Sequence, residues 1–263
     1  MQYTQHSPQD CWLNNPVAAF DLETTGLDTE TDRIVTATFA VLAPTGEIMF
    51  NRENRPMIKQ WLVNPGVDIP VEASRIHGVT TGQAQQEGTP APVAVNEIRN
   101  MINWGLSSGI PVAGYNVRYD FSLLTHEIAR YGIEPIANLF PILDAFPLYV
   151  KEHKYERGKK LVNAAEKYGV RLDNAHSATD DAIAAVHVLQ TMGRAHPVYG
   201  SCNAGDLHNA TVRLYEEQDD SYQGWLVNRY RNGQGSFYVI NRGFPTYVPK
   251  NNLPSEEEVL ASY

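Results

Sequence analysis

The sequence predicts an α/β fold in which helices cover the faces of a mixed sheet. Strand-like apolar segments come first in the chain, and segments with apolar residues three and four positions apart follow them. Short apolar strands alternate with these helical segments. Such an order is typical of α/β proteins. A chain of 263 residues is long enough for one large domain or for a domain with an appendage.

Strands are predicted where apolar and β-branched runs stop at turn residues. The first is residues 17–23, and Pro44-Thr45-Gly46 forms a hairpin turn between two later strands. The complete set of predicted strands is residues 17–23, 34–42, 47–52, 57–63, 110–114 and 142–146.

Helices are predicted from apolar residues at helical spacing. Phe121, Leu124 and Ile128 mark one helix, and Gly169 ends another. Thr80 with Gln83, and Ser177 with Asp180, fit the capping-box pattern that begins a helix. The predicted helical segments are residues 92–106, the segment that contains residues 121–131, residues 161–168 and the segment that starts at 177.

Three parts of the chain are distinguished by composition. They are a polar leader (1–15), a main domain (16–196) and a C-terminal extension (197–263). In the extension the sequence predicts a helix and a hairpin turning at Asn241. Its apolar surface needs a cover, either by docking on the main domain, which is favoured, or by a partner. Residues 234–238 are similar to a peptide that binds a sliding clamp, so a clamp or a polymerase is the partner considered.

Charge and cysteine content restrict the function class. The net charge of −9 and the pI of about 5.3 argue against a general DNA-coating protein, although bound metal ions can reverse the local sign of a site. Two cysteines without metal-ligand spacing fit a reducing compartment. Because the N-terminus lacks a secretory signal and no apolar run could span a bilayer, a cytoplasmic location without membrane contact is expected.

Two acidic residues end the first strand. Asp21 and Glu23 are two positions apart, so both side chains point to the same face. Like charges held side by side need a positive partner, and hard oxygen ligands favour Mg²⁺ or Mn²⁺. Acid-x-acid pairs also occur at solvated positions, so this pair alone is a weak signal.

Two further segments place acids at the start of helices. "GYNVRYDFSLL" puts Asp120 in a first helical turn, and "AHSATDDAIAAV" puts His176 before a helix and Asp181 within its first turn. Each acid taken singly is explained by the helix dipole. Together, four carboxylates and one histidine fit phosphoryl transfer assisted by two metal ions.

The segments "FDLETTGLD", "YNVRYD" and "HSATDD" resemble the three motifs of the DEDDh (DnaQ-like) exonucleases. This family includes the proofreading epsilon subunit of bacterial DNA polymerase III. The resemblance covers residues 16–194 and implies a ribonuclease-H-like fold with a mixed five-stranded sheet and helices on its faces. It further implies a 3′→5′ exonuclease that acts on single-stranded DNA in proofreading or repair and releases nucleoside 5′-monophosphates.

The resemblance also implies the role of each site residue. Asp21, Glu23, Asp120 and Asp181 would bind two metal ions, and His176 would be the general base. The implied substrate contacts are Thr24, Leu27, His77, Asn116 and Tyr119. Tyr119 stands where the family usually has Phe, and Tyr115 stands where many relatives have His.

Two alternatives remain open at this stage. The first is an exoribonuclease of the same family that trims RNA 3′ ends. The second is a non-catalytic nucleic-acid-binding module, against which the intact set of five residues argues. A serine hydrolase is disfavoured because the sequence lacks G-x-S-x-G, and an ATPase because it lacks a P-loop.

Overall fold

The computed structural model describes residues 9–173 and 175–263, so most of the predicted leader lies outside it. Six strands and ten α-helices are assigned in these residues. The strands are β1 (Val17–Thr24), β2 (Ile34–Leu42), β3 (Ile58–Asn64), β4 (Thr89–Pro90), β5 (Val112–Gly114) and β6 (Ile142–Asp144). The helices are α1 (Val71–His77), α2 (Thr81–Glu87), α3 (Ala91–Ser107), α4 (Val117–Arg130), α5 (Ala145–Glu152), α6 (Leu161–Tyr168), α7 (Ala178–Ala195), α8 (Pro197–Gly200), α9 (Ala204–Arg231) and α10 (Glu256–Ser262).

One mixed sheet organises the molecule, in the order β4-β3-β2-β1-β5-β6. β1 is antiparallel to β2 and parallel to β5, and β5 is parallel to β6. The predicted α/β fold is therefore confirmed. The sheet has six strands instead of the expected five, because the two-residue strand β4 pairs with the end of β3.

The central strand β1 is buried on both faces. Val17 and Ala19 belong to the core under α7, whereas Ala18, Phe20 and Leu22 belong to the core under α3 and α4. This alternation follows from the two-residue period of a strand. It puts Asp21 and Glu23, which continue the first set, on the face that α7 covers.

Several predicted elements differ from those observed. Residues 47–52 make only isolated bridges, Leu42 with Ile48 and Phe50 with Pro56, and form no strand. The strand predicted at 142–146 stops at Asp144, because the Asp144 side chain accepts a hydrogen bond from Phe146 N and so begins α5. The short helices α1, α5, α8 and α10 had not been predicted.

The helix predicted in the extension is present, and the hairpin is wrong. α9 is 28 residues long and packs against β6 and α5. The described residues 232–263 contain no strand. The buried Gln223 side chain explains this difference, because it donates to Tyr238 O at 3.1 Å and accepts from Ile240 N at 2.9 Å. A side chain of α9 thus satisfies the backbone groups that a partner strand would have used.

The N-terminal part is also tied to the core. Trp12 is buried, and its Nε1 donates to Tyr199 O at 2.7 Å. The boundaries at residues 15 and 196 remain a prediction. Within the described ranges, no helix is both long enough and apolar enough to cross a bilayer.

Candidate active site

The carboxyl end of β1 supplies two acids, and α4 supplies a third beside them. The pairing of β1 with β2 shifts register between Glu23 and Thr24, which is the irregularity expected of a bulge at a functional edge. Asp120 lies in the first turn of α4 and is buried. Its Oδ1 accepts a hydrogen bond from Leu22 N at 3.0 Å. This bond holds Asp120 against the strand residue that separates Asp21 from Glu23.

The start of α7 supplies Asp181 and His176. The predicted capping box at Ser177 is wrong, since the Ser177 side chain makes no cap hydrogen bond. Instead, Asp181 Oδ2 accepts from His176 N at 3.0 Å. His176 is exposed and has a φ of +73°, a conformation that non-glycine residues seldom adopt. Asp181 therefore fixes the loop that presents the imidazole.

Three of these residues form a group that could hold a metal ion. One ligand atom each from Glu23, His176 and Asp181 lies within 4.8 Å of the others. The prediction used His176 as a base and not as a ligand, and its position beside Asp181 is compatible with either use.

Burial and mutual repulsion disfavour the charged forms of these acids. Burial raises the pKa of Asp21 well above its usual value, and the charges of Asp120, Glu23 and Asp181 raise it further. Burial and the charge of Asp181 raise the pKa of Glu23 to about 8. Burial also raises the pKa of Asp120, and the hydrogen bond from Leu22 opposes it.

Divalent cations fit this set of donors. Asp181 Oδ1 is buried and, within the part of the chain that the structure describes, has no hydrogen-bond partner. A buried carboxylate oxygen without a partner is costly unless a cation binds it. The neighbouring donors are mostly hard carboxylate oxygens, the ligands of Mg²⁺ and Mn²⁺.

The loop after β1 presents a leucine to solvent. Leu27 is 89% exposed, an unusual state for a large apolar side chain. Asp32 braces the loop by accepting from Thr25 Oγ1 at 2.7 Å and from Asp28 N at 2.8 Å. A Cβ at Gly26 would lie 2.6 Å from the Asp32 carboxylate, so a larger residue there would displace this carboxylate from its two hydrogen bonds.

Tyr119 connects this loop to α4. Its hydroxyl lies 2.8 Å from Thr24 Oγ1 and donates to Gly26 O. These bonds give a physical role to the hydroxyl by which Tyr119 differs from the phenylalanine usual in the family. Thr24, Leu27 and Tyr119, all predicted substrate contacts, therefore lie together beside Asp120.

His77 and Asn116 are the two remaining predicted substrate contacts, and they lie at the end of α1 and immediately before α4. Burial lowers the pKa of His77, and a hydrogen bond with the Thr24 backbone opposes this shift. His77 and His176 line the same cleft of about 510 Å³. Asn116, with a φ of +60°, is the residue before α4, and its N–H donates to Asp144 Oδ1 at 2.8 Å.

Sequence reasoning missed a buried group behind the site. Asp144 is fully buried, and its Oδ2 accepts from Tyr215 of α9 at 2.6 Å. Burial raises the pKa of Asp144 to about 6, although the hydrogen bonds from Tyr215 and the backbone lower it. Asp144 thereby joins α9 to Asn116 at the start of α4. The only available signal was an acid at the end of an apolar run.

A buried ion pair makes a second connection between α9 and α4. Arg118 and Asp219 are 2.7 Å apart, and both side chains are largely buried. The Arg118 guanidinium lies over the rings of Tyr215 and Tyr247, at 4.1 and 4.7 Å from their centres. Arg118 stands within "YNVRYD", two residues before Asp120, but its partner could not be read from the sequence.

Comparison with known families agrees with this geometry. A family model described as an exonuclease, RNase T, matches residues 18–189. The chain belongs to this exonuclease family. The match contains all three segments that supply the acids, and it confirms the resemblance stated from the sequence.

The individual relatives of this chain are distant in sequence. The chain is 25% identical over 184 residues to the DNA polymerase III subunit epsilon of Treponema pallidum, covering 68% of this chain and 76% of that protein. It is 24% identical over 272 residues to the PolC-type DNA polymerase III of Lacticaseibacillus paracasei, covering 98% of this chain and 17% of the polymerase. The chain thus spans about a sixth of that polymerase.

Solved structures give the same fold. Exonuclease I of E. coli in complex with a dA16 oligonucleotide superposes with a TM-score of 0.58 at 16% identity. The superposition covers 83% of this chain and 45% of that protein.

Proposed function

We propose that this protein is a 3′→5′ exonuclease that hydrolyses the terminal phosphodiester of single-stranded DNA and releases nucleoside 5′-monophosphates in proofreading or repair. The observation that carries the proposal is the convergence of Asp21, Glu23, Asp120 and Asp181, from three separate segments, beside His176. Membership of the exonuclease family supports it. The DNA-bound exonuclease I and the epsilon subunit support DNA as the substrate.

Two Mg²⁺ or Mn²⁺ ions are part of the proposal. Asp21, Glu23, Asp120 and Asp181 would hold them. When bound, such ions neutralise carboxylate repulsion, stabilise the charge that develops on the phosphate and make a water molecule more acidic. A cation also explains why buried acids with raised pKa values are kept together.

The residues of the chain have distinct roles in this reaction. His176 accepts a proton from the attacking water, a role that its exposed position beside Asp181 permits. Leu27 packs against the terminal base, and Thr24 meets the terminal hydroxyl. Tyr119 positions this loop by its hydrogen bonds with Thr24 Oγ1 and the Gly26 carbonyl. His77 and Asn116 line the remaining sides of the nucleotide pocket.

A partner and a location complete the proposal. A polymerase or a sliding clamp would contact the C-terminal extension, and the DNA polymerase III relatives support such a partner. Residues 234–238 are the segment considered, with Phe237 half-buried against Tyr230. Cys11 and Cys202 are free thiols, which supports a cytoplasmic location.

One degradation assay tests the activity. DNA and RNA oligonucleotides of the same sequence, labelled at the 5′ end, are incubated with the protein in Mg²⁺ or in EDTA. We expect a descending ladder from DNA in Mg²⁺ and no cleavage in EDTA. A ladder from RNA alone would make the protein an exoribonuclease. Immediate release of the 5′ label, or full activity in EDTA, would contradict the proposal.

A further inference from the structure

Helix α9 exposes two stacked aromatic side chains outside the matched family residues. The rings of Tyr222 and Trp225 are 5.6 Å apart with an interplanar angle of 18°. They are 45% and 49% exposed. The Arg229 guanidinium lies 4.8 Å from the centre of the Trp225 ring. The family match ends at residue 189, so nothing in it assigns a role to these residues.

Lysines and this aromatic pair line the same cleft. The cleft has a volume of about 720 Å³, and its lining includes Tyr222 and Trp225 of α9 together with Lys151, Lys154 and Lys159. Among all its lining residues, four carry a positive charge and two carry a carboxylate. The cleft is thus cationic in a chain whose net charge is −9. This local excess favours an anionic ligand.

This cleft shares lining residues with a second cleft that contains two of the predicted substrate contacts. A neighbouring cleft of about 860 Å³ is lined by Leu27 and Tyr119, two of the residues assigned to the terminal nucleotide. Both clefts are lined by Arg118, Asp219 and Tyr222, so they meet at these residues. A chain whose end lies at Leu27 can therefore extend along α9.

We propose that Tyr222, Trp225, Lys151 and Lys154, named here the α9 surface, bind the single-stranded nucleic acid several nucleotides before its 3′ end. Aromatic rings stack on bases without regard to sequence, and lysines bind the phosphates. This inference rests on the proposed exonuclease function. It adds a binding surface that lies partly in the C-terminal extension and gives the enzyme a preference for longer strands.

The contacts that the lysines make at present do not prevent this binding. Lys151 lies 3.4 Å from Glu217, and both side chains are more than half exposed. Exposed pairs of this kind contribute little and are readily exchanged. Lys154 lies 5.9 Å from the centre of the Tyr155 ring and is exposed. Lys159 donates to His153 O and is therefore left out of the α9 surface.

The decisive measurement is the dependence of hydrolysis on strand length. The kcat/KM for an oligonucleotide of about 12 nucleotides is divided by that for a dinucleotide, in the unmodified protein and in the Tyr222→Ala/Trp225→Ala double variant. We expect this ratio to fall by about tenfold or more in the double variant. Trp104→Ala is the matched control, because Trp104 is 42% exposed and lines a separate cleft with Lys59 and Glu97. It should keep the ratio of the unmodified protein.

Binding in EDTA separates failure of the surface from failure of the proposed function. The full chain is titrated into a labelled oligonucleotide of about 12 nucleotides, and fluorescence anisotropy is followed at several salt concentrations. For Lys151→Gln/Lys154→Gln we expect a slope of log K against log salt that is smaller by about 1.4, since each of the two phosphate contacts on a single strand contributes roughly 0.7.

The length ratio and the salt slope together decide between the α9 surface and the exonuclease function. An unchanged length ratio together with an unchanged salt slope overturns the α9 surface while leaving the exonuclease intact, and it would make the cleft available to a protein partner. Absence of hydrolysis on every substrate overturns the exonuclease function. In that case, weaker binding by the variants in EDTA would still support the surface, and unchanged binding would overturn it.

Discussion

At the scale of single residues, the candidate site brings acids so close together that their charges raise one another's pKa values. Asp21 is surrounded by Asp120, Glu23 and Asp181, and burial adds to the effect of their charges. Such a cluster destabilises the folded chain whenever the acids ionise without a cation. A cluster with this cost is explained by ligand binding and not by a contribution to stability.

The pKa of Glu23 leads to a stability prediction. It is about 8 in the folded chain and 4.5 in the reference state, so the folded form binds more protons between these values. Stability should therefore be highest below about pH 4.5 for this group and fall as the pH rises toward 8. We expect the melting temperature in EDTA to decrease over this range, and Mn²⁺ to restore it near pH 8.

Glu23→Gln should flatten that decrease, because the amide does not ionise. Asp21 and Asp181, whose pKa values are also raised, keep part of the slope. Glu166→Gln, at an exposed position of α6, is the control and should retain the full decrease. If Glu23→Gln has the slope of the unmodified protein, the raised pKa of Glu23 is contradicted.

His176 leads to a second prediction, for which asparagine is the better substitution. The residue has a φ of +73°, and asparagine tolerates this conformation while alanine does not. If His176 is the general base, His176→Asn should lower kcat by roughly 10²–10⁴. The acidic limb of the pH–rate profile should change as well. Unaltered turnover with the same acidic limb would reduce His176 to a loop residue.

At the scale of elements, α9 holds the helix that carries Asp120. Breaking the buried Arg118–Asp219 pair from one side leaves an uncompensated charge, at a cost of roughly 3–5 kcal/mol. We expect Arg118→Met to lower the free energy of unfolding by about that much, measured with urea. The double variant Arg118→Met/Asp219→Leu should recover a large part, because both charges are then gone. No recovery would mean that Asp219 is stabilised by groups other than Arg118.

The same scale shows what the sequence could predict. Strands 17–23 and 34–42 were confirmed within a residue or two, because their apolar runs are long and end at turn residues. The hairpin was wrong because the bonding partner of residues 238–240 is the Gln223 side chain, 15 to 17 positions away. The capping box predicted at Ser177 is absent, and the Asp181 side chain accepts a hydrogen bond from the His176 backbone N–H instead. A sequence pattern does not show which side chain will form a hydrogen bond with a given backbone group.

The same limit applies to the candidate site. The grouping of Asp21, Glu23, Asp120, His176 and Asp181 could be predicted because each lies next to a strand end or a helix start. Their roles stay a prediction. The importance of Asp144, Tyr215 and Asp219 could not be predicted, because it comes from contacts between elements distant in the chain. Residues that support a site are therefore harder to predict than the residues that form it.

At the scale of the whole molecule, the extension shares its core with the catalytic part. Leu207 and Leu214 of α9 belong to the same apolar cluster as Val17, Leu143 and Leu148. Tyr215 reaches the buried Asp144, and Arg118 reaches Asp219. With apolar and polar contacts both continuous across residue 196, the parts should behave as one cooperative unit.

This coupling predicts how the chain responds to truncation. The full chain should unfold in urea in one transition that is the same by circular dichroism and by tryptophan fluorescence. A chain that ends at residue 196 exposes the surface of β6 and α5 that α9 covers and leaves Asp144 without the Tyr215 hydroxyl. Each large buried side chain that is removed costs roughly 2–5 kcal/mol, so several together reach the typical net stability of about 5–15 kcal/mol. We expect the truncated chain to lack a cooperative transition and to be digested rapidly by proteases.

A chain that ends at residue 231 is the matched control. It keeps the Tyr215 and Asp219 contacts and should still unfold cooperatively. Two separate transitions in the full chain would show instead that residues 16–196 fold as an independent domain.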